Sequence, residues 1–254
     1  MSNGTSLVLR VCRADLTSCD GFQYPAEVGA TIEAPDWSDE PSCGKGLHGW
    51  LHGQGDHSCA DYWSEGGSKW LVLEVVSAHI IMLGGKCKFP RATVRFIGGK
   101  SEAAAYLMAN SEHAKNVAVI GASIEAPDKG QAVVGDLGTA TAGRYGTAIA
   151  GDSGTAIAGD SGTATAGDSG TATAGSYGTA TAGYSGTATA GYSGTATAGR
   201  YGTATAGEKG EIRIKYWDEE AERYRTKIGY IGEDGLLPDV AYKLDESHNF
   251  VEAK

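Results

Sequence analysis

The sequence predicts a mainly β protein whose centre is a parallel β-solenoid with two eight-residue units, sixteen residues, in each coil. Three observations carry that expectation. Residues 138–209 are nine consecutive octads of the form Gly-Thr-Ala-(Thr/Ile)-Ala-Gly-x-x, and a fixed period of this kind marks a stacked-repeat architecture. Inside each octad Thr and Ala alternate with period 2, the pattern of a strand with two unlike faces, and β-branched Thr favours extended backbone. Glycine closes both ends of every short strand, where the chain must turn and where φ > 0 is expected. One octad cannot bury a face of its own. Stacked octads pair in parallel along an axis, and two strand-plus-corner units close one coil.

The elements follow in order. Residues 1–100 read as a separate α+β head with strands over 7–13, 69–76, 79–83 and 93–97. A Gly-, Asp- and Ser-rich stretch, 20–67, holds little periodicity beyond one short helix. Residues 101–115 read as a capping helix, with Ser101 as N-cap and Glu102 in the first turn, where a carboxylate suits the helix dipole. The solenoid takes 116–209, including a looser octad, Gly130-Gln-Ala-Val-Val-Gly-Asp-Leu137, and a degenerate copy at Asn116-Val-Ala-Val-Ile-Gly121. The pattern stops after Gly210. Residues 210–254 then form a C-terminal β cap: a hairpin of 211–217 and 223–231 turning over 218–222, and a further strand near 241–244. Caps are needed because bare strand edges invite pairing with other chains.

Alternation also assigns the faces. The third octad position is Ala in all nine copies (Ala140, Ala148, Ala156 and onward). It and the fifth-position Ala belong inside, where two thin sheets approach closely. The second and fourth positions point outward, and Ile149 and Ile157 replace the fourth-position Thr where an outward site tolerates bulk. Such a core buries little apolar area, so cohesion rests on continuous backbone hydrogen bonding.

Composition narrows the function classes. Glycine is 39 of 254 residues, roughly twice ordinary usage, yet no three-residue glycine period makes collagen. A 41% hydrophobic chain with 5 Trp and 12 Tyr carries too much packing material for wholesale disorder. Its net charge of −10, spread along the chain, lacks the electrostatic footprint for nucleic-acid phosphates. The opening residues show no basic, apolar leader pattern, and the apolar stretch 70–83 carries Glu74 and His79 and is too short to span a bilayer. Five cysteines (Cys12, Cys19, Cys43, Cys59, Cys87) cannot all pair within one chain. These features suit a cytoplasmic protein without a membrane span.

Four groups of residues are candidate sites. Outward threonines form ladders under sixteen-residue stacking, and Thr163, Thr165, Thr179, Thr181, Thr195 and Thr197 make a regular hydroxyl-and-methyl grid able to order water or bind ice. Tyr145, Tyr177, Tyr184, Tyr192 and Tyr201 sit on corners, and exposed Tyr is a frequent interface anchor. Asp136, Asp152 and Asp168 share one edge with Tyr184 and Arg200, while Arg144, Asp160, Ser176, Tyr192 and Glu208 share the other. The octad lacks the nine-residue, glycine-doubled pattern of calcium β-rolls, so the carboxylates read as a solvated edge. Cys43, His48, His57 and Cys59 are the zinc-ligand set if the head holds a metal; otherwise no cofactor is expected. The chain has no Walker loop, no Gly-x-Ser-x-Gly and no dinucleotide fingerprint between strand and helix.

The octads Gly-Thr-Ala-Thr-Ala-Gly-Tyr-Ser resemble the repeats of bacterial ice-nucleation proteins, which carry Thr-x-Thr strands between Ala-Gly corners in sixteen-residue coils. The whole layout is similar to bacterial and phage or prophage proteins that join an N-terminal domain of unknown function to such a repeat and a short β tail. That match rests on Cys19-Asp-Gly-Phe-Gln-Tyr24, Cys43-Gly-Lys-Gly-Leu-His48, Gly229-Tyr-Ile-Gly-Glu-Asp-Gly235 and Ala241-Tyr-Lys-Leu-Asp245. In the head, Arg10 or Arg13 on the first strand, followed by a Gly-Leu-His turn and a strand, resembles the opening of ADP-ribosyltransferase domains. The main expectation is a non-enzymatic scaffold or binding module of phage type, using its Thr faces and Tyr corners for a protein partner or for homo-oligomerisation. An ice-binding protein and an ADP-ribosyltransferase-like head are the alternatives.

Overall fold

The computed structural model describes residues 4–18, 21–60 and 64–253, and the chain divides into two compact units at the Ala122/Ser123 junction. Cys19, Asp20 and the first three residues, to which parts of the sequence reading refer, lie outside the described residues.

The first unit is one antiparallel sheet with a helix. Its strands are β1 (Thr5–Cys12), β2 (Thr31–Glu33), β3 (Leu47–Leu51), β4 (Lys69–Val76), β5 (Ile81–Met82), β6 (Cys87–Phe89) and β7 (Arg91–Gly98), in the order β2-β7-β4-β1-β3-β6-β5. The central pair β1 and β4 align over their full length, from Thr5↔Val76 to Cys12↔Lys69. Strand β4 is an almost unbroken apolar run with Trp70 to Leu73 buried, as expected for a strand covered on both faces. One face carries a core of Val8, Tyr24, Leu47, Leu71, Leu73, Phe89 and Val94. Helix α1 (Lys100–Asn110) packs Ala103, Ala104 and Leu107 against β1, β4 and β7. Its N-cap is Gly99 rather than Ser101, because the Glu102 carboxylate accepts the Gly99 N–H at 2.9 Å. The stretch expected to be irregular contributes β2 and β3 together with a short 3-10 turn at His57–Cys59.

The second unit is the solenoid. Strand β8 (Ser123–Ala126) and β9 (Gln131–Val133) are followed by nine four-residue strands, β10 (Thr139–Ala142) to β18 (Thr203–Ala206), at eight-residue intervals, and then by β19 (Glu211–Asp218). Even-numbered strands form one parallel sheet and odd-numbered strands the other, with partners sixteen residues apart, such as Thr139↔Thr155 and Thr163↔Thr179. The expected coil is therefore present. Every third- and fifth-position Ala of the nine octads is 4% exposed or less, whereas the Thr positions face outward.

Three expectations need correcting. Residues 116–121 form no strand; Val119 and Ile120 are buried in the first unit. The first coil strand is instead β8, within Ala122-Ser-Ile-Glu-Ala-Pro-Asp-Lys129, which keeps the alternation without the glycines. The pattern also runs past Gly210. Strand β19 stacks in parallel on Thr195–Ala198, and Ile212 and Ile214 occupy the inward alanine positions. The twelve strands β8 to β19 thus make six coils.

The third correction concerns the corners. No octad glycine has positive φ; the left-handed residue is the eighth, a non-glycine such as Tyr145 (59°), Ser161 (54°) or Lys209 (60°). It is the third residue of a Gly-x-x-Gly turn closed by bonds such as Gly146 N to Gly143 O, 3.1 Å. The glycines serve close approach instead. A Cβ on Gly162 would lie 2.8 Å from both Ala158 Cβ and Gly159 O, and one on Gly159 2.8 Å from Arg144 N in the coil before.

The C-terminal strands end both sheets in the opposite direction. Strand β20 (Arg223–Tyr230) runs antiparallel to β19, and β21 (Tyr242–Leu244) antiparallel to β18, with β22 (Phe250–Glu252) outside it. Reversed strands cannot seed another parallel coil, and Arg223, Arg225 and Lys227 make one edge basic. No helix of the described residues is long and apolar enough to cross a membrane.

Candidate functional site

Strand register fixes two threonine faces. On the odd-numbered sheet, Thr163/Thr165, Thr179/Thr181 and Thr195/Thr197 stack on three consecutive coils. Thr171/Thr173, Thr187/Thr189 and Thr203/Thr205 do the same on the even-numbered sheet. Strand geometry spaces these side chains roughly 6.5–7 Å along each strand and about 4.7 Å between coils. Each threonine presents a methyl and a hydroxyl. Among the described residues none of these hydroxyls has a protein hydrogen-bond partner, so water must satisfy them. Ile149 borders the first face on one side and the Glu211–Arg213 ion pair on the other. The six threonines singled out from the sequence are therefore one contiguous patch.

The tyrosines divide between two edges. Tyr184 and Tyr201 pack edge to face at 5.4 Å on one, and Tyr177 and Tyr192 at 5.6 Å on the other. Tyr145 stands two coils from Tyr177 on that second edge. Tyr145, Tyr177 and Tyr201 are each about two-thirds exposed. Arg200 stacks over Tyr201 at 4.5 Å, and the Lys209 ammonium lies 5.5 Å from the Tyr192 ring.

The aspartates are not simply solvated. Oδ1 of Asp136, Asp152 and Asp168 accepts the backbone N–H sixteen residues on, from Asp152 (3.0 Å), Asp168 (2.8 Å) and Tyr184 (2.8 Å). Asp128 and Asp160 do the same for Arg144 and Ser176, each at 2.9 Å, on the other edge. These carboxylates tie coil to coil through charge-assisted hydrogen bonds. Sequence reading placed them on the right edge and missed the bond, which depends on the corner geometry.

In the first unit, Cys43, His48, His57 and Cys59 do not form a ligand cluster: among the described residues no group of three or more His, Cys, Asp or Glu is arranged to hold a metal ion. Cys43 and Cys59 are exposed, and Cys12, Cys43, Cys59 and Cys87 are all free thiols. Burial among apolar neighbours pushes the Cys87 thiol up to about 12, which leaves it inert at neutral pH.

His48 lies instead in a cavity of about 380 Å³ lined by Arg10, Tyr24, Leu47, Trp50 and Lys86 among others. Arg10 Nη1 donates to His48 O at 2.7 Å, and the guanidinium stacks on Tyr24 at 4.7 Å. So the Arg10 and Gly-Leu-His elements do meet. Among the described lining residues the one carboxylate is Asp36, whose Oδ1 accepts Gly46 N–H at 3.1 Å. Arg13 Nη1 donates to Ser18 O at 3.2 Å, and Arg13 does not line the cavity.

Burial, with Lys86, Arg10 and Lys88 nearby, lowers the His48 pKa to about 4. Unfolded His48 takes its proton near the ordinary value, so between pH 6.5 and 4 the unfolded state binds more protons than the folded one. Stability should fall across that window and level off below it. Discounted for partial exposure, the loss is on the order of 1–2 kcal/mol. Urea midpoints followed by tryptophan fluorescence (four of the five tryptophans are Trp37, Trp50, Trp63 and Trp70) should show it, with a shallower pH slope in His48→Gln. His52, lowered by burial and by His113, contributes in the same direction in both proteins.

Comparison with known proteins divides the chain in the same way. Residues 6–109 match a family described as a domain of unknown function, DUF7666. Over 116 residues the chain is 34% identical to an ice nucleation protein of Pseudomonas fluorescens, covering 44% of this chain and 9% of that one. Ice nucleation proteins of Xanthomonas campestris pv. translucens (33% over 108 residues, 41% and 6%) and Pseudomonas syringae (32% over 111 residues, 43% and 9%) are similar to it in the same way. The chain spans less than a tenth of the length of these curated relatives. No solved structure matches it. The chain thus joins a domain of unknown function to a Thr-rich β-solenoid related to ice-nucleation-type proteins.

Proposed function

We propose that the solenoid orders water and binds ice through its Thr-x-Thr faces. The observation that carries this reading is the patch of six aligned threonines, Thr163 to Thr197, whose hydroxyls have no protein partner and whose positions the backbone ladder fixes. A mobile surface would order water only by losing its own conformational entropy; here the cost is met during folding. Similarity to the repeats of ice nucleation proteins supports the same reading. Three coils of Thr-x-Thr offer a small template, so the activity is adsorption to existing ice rather than seeding of new crystals.

Ice-recrystallisation inhibition by the full chain tests this. Thr165→Lys/Thr181→Lys should lower the activity, as should Thr173→Lys/Thr189→Lys on the other face, and the fourfold variant should abolish it. These sites point outward, so thermal melting should shift little. An inactive wild type, or a fourfold variant as active as wild type, would remove ice binding. A second reading has its own support. The Tyr177–Tyr192 and Tyr184–Tyr201 pairs, in which Tyr177, Tyr184 and Tyr201 are exposed, suit a scaffold that holds a protein partner or a second copy along its edges.

A further inference from the structure

We infer that a notch at one edge of the solenoid is a binding site for an acidic sugar chain. The notch follows from unequal strand lengths. Strand β17 (Thr195–Ala198) stops where its coil turns at Gly199, but β19, stacked on it from Thr195↔Glu211 to Ala198↔Ile214, runs on to Asp218. Residues 215–218, paired with 223–226 of β20, therefore project past the turn, next to the corner that carries Tyr184 and Arg200. The space between them is about 360 Å³, within the range of binding sites for small groups.

The lining groups are accessible and suit a saccharide. Tyr184 and Tyr224 are 46% and 58% exposed, and each is held by a second ring, Tyr201 at 5.4 Å and Trp217 at 5.0 Å. Fixed, open ring faces fit the C–H face of a pyranose. Thr181 and Thr197 add hydroxyls without a protein partner among the described residues, which donate and accept as sugar hydroxyls do. Positive charge comes from Lys215, exposed and without an ion-pair or hydrogen-bond partner among the described residues. Arg200 adds a second cation, stacked over Tyr201 at 4.5 Å. Against these two stands one lining carboxylate, Asp168, whose Oδ1 already accepts Tyr184 N–H at 2.8 Å. The balance selects an acidic ligand. Backbone pairing selects a sugar over a peptide: β17 lies between β15 and β19, and β19 between β17 and β20. The floor of the notch thus has no free strand edge for an extended peptide to join. Both rings stay open to solvent on one side, which suits a chain crossing the notch rather than a small molecule enclosed by it. Thr181 and Thr197 also belong to the Thr patch, but binding measured without ice reports on the notch alone.

Calorimetric titration of the full chain with tetragalacturonate, with its uncharged methyl ester and with tetraglutamate separates sugar, charge and peptide. Tetragalacturonate should bind saturably at one site, and the other two roughly tenfold more weakly or not at all. Lys215→Glu and Tyr224→Ala should each weaken tetragalacturonate about tenfold. Lys215 has no partner to lose, so its variant carries the test even where Tyr224→Ala disturbs the hairpin, which circular dichroism would show. No saturable binding of tetragalacturonate, methyl ester or tetraglutamate binding as tightly, or an affinity indifferent to Lys215→Glu or to a folded Tyr224→Ala would overturn the inference.

Discussion

Gly167→Ala is expected to destabilise the solenoid by about 3 kcal/mol or more, at the upper end of what overpacking costs. The added methyl would fall on the Asp152 carboxylate, 2.7 Å from Asp152 N and 2.9 Å from Gly151 C, all in the preceding coil. Those backbone atoms cannot retreat, because Gly167 N donates to Ala150 O and Gly151 O, each at 3.2 Å, and Asp168 N donates to Asp152 Oδ1. Relieving the clash therefore breaks the bonds that join two coils. Gly66→Ala is the matching control: its Cβ would meet nothing within 4 Å. Urea unfolding monitored by far-ultraviolet circular dichroism should show the solenoid transition move sharply for the first variant and stay in place for the second.

Ala164→Leu should cost a similar amount, about 3 kcal/mol. Ala164 is fully buried, stacked between Ala148 and Ala180 and facing the other sheet. Three further carbons have no space unless the sheets part, and parting them strains coils on either side. Thr165→Val, one residue away and pointing outward, should move stability by less than about 0.5 kcal/mol. The ordinary rule that greasier interiors are firmer is inverted here. If Ala164→Leu melts with the wild type, the two sheets are not in close contact and the inward assignment of alanine fails.

How far the sequence could be read follows from where its signals are local. Nine near-identical octads state the coil period, and Thr-Ala alternation states which side faces in. The first and last coils were hidden because Ala122 and Pro127 replace glycines and Ile212 and Ile214 replace alanines. The left-handed corner residue was unreadable, since Ser161 or Tyr145 gives no conformational hint of its own. In the first unit the long strands β1, β4 and β7 announce themselves. Strand β3 does not, because Gly49 sits at its middle: a Cβ there would strike Val8 and the Leu9 carbonyl. That is a long-range packing demand. The cavity shows the same limit. Arg10 and His48 drew notice in sequence, but Tyr24 and Lys86 join them only through a strand order that sets β1 beside β3 and β3 beside β6.

The even–odd division of strands between the two sheets has a consequence for how such a gene can change. Removing or duplicating sixteen codons leaves every surviving strand in its original sheet, and the closing strands still find β18-like and β19-like neighbours. A change of eight codons would instead carry every strand downstream of it to the opposite sheet, the tail moving together with its β18 and β19 neighbours. Changes in whole turns are therefore the ones that keep each strand in its own sheet, and recombination between near-identical repeats can make them without touching either terminus.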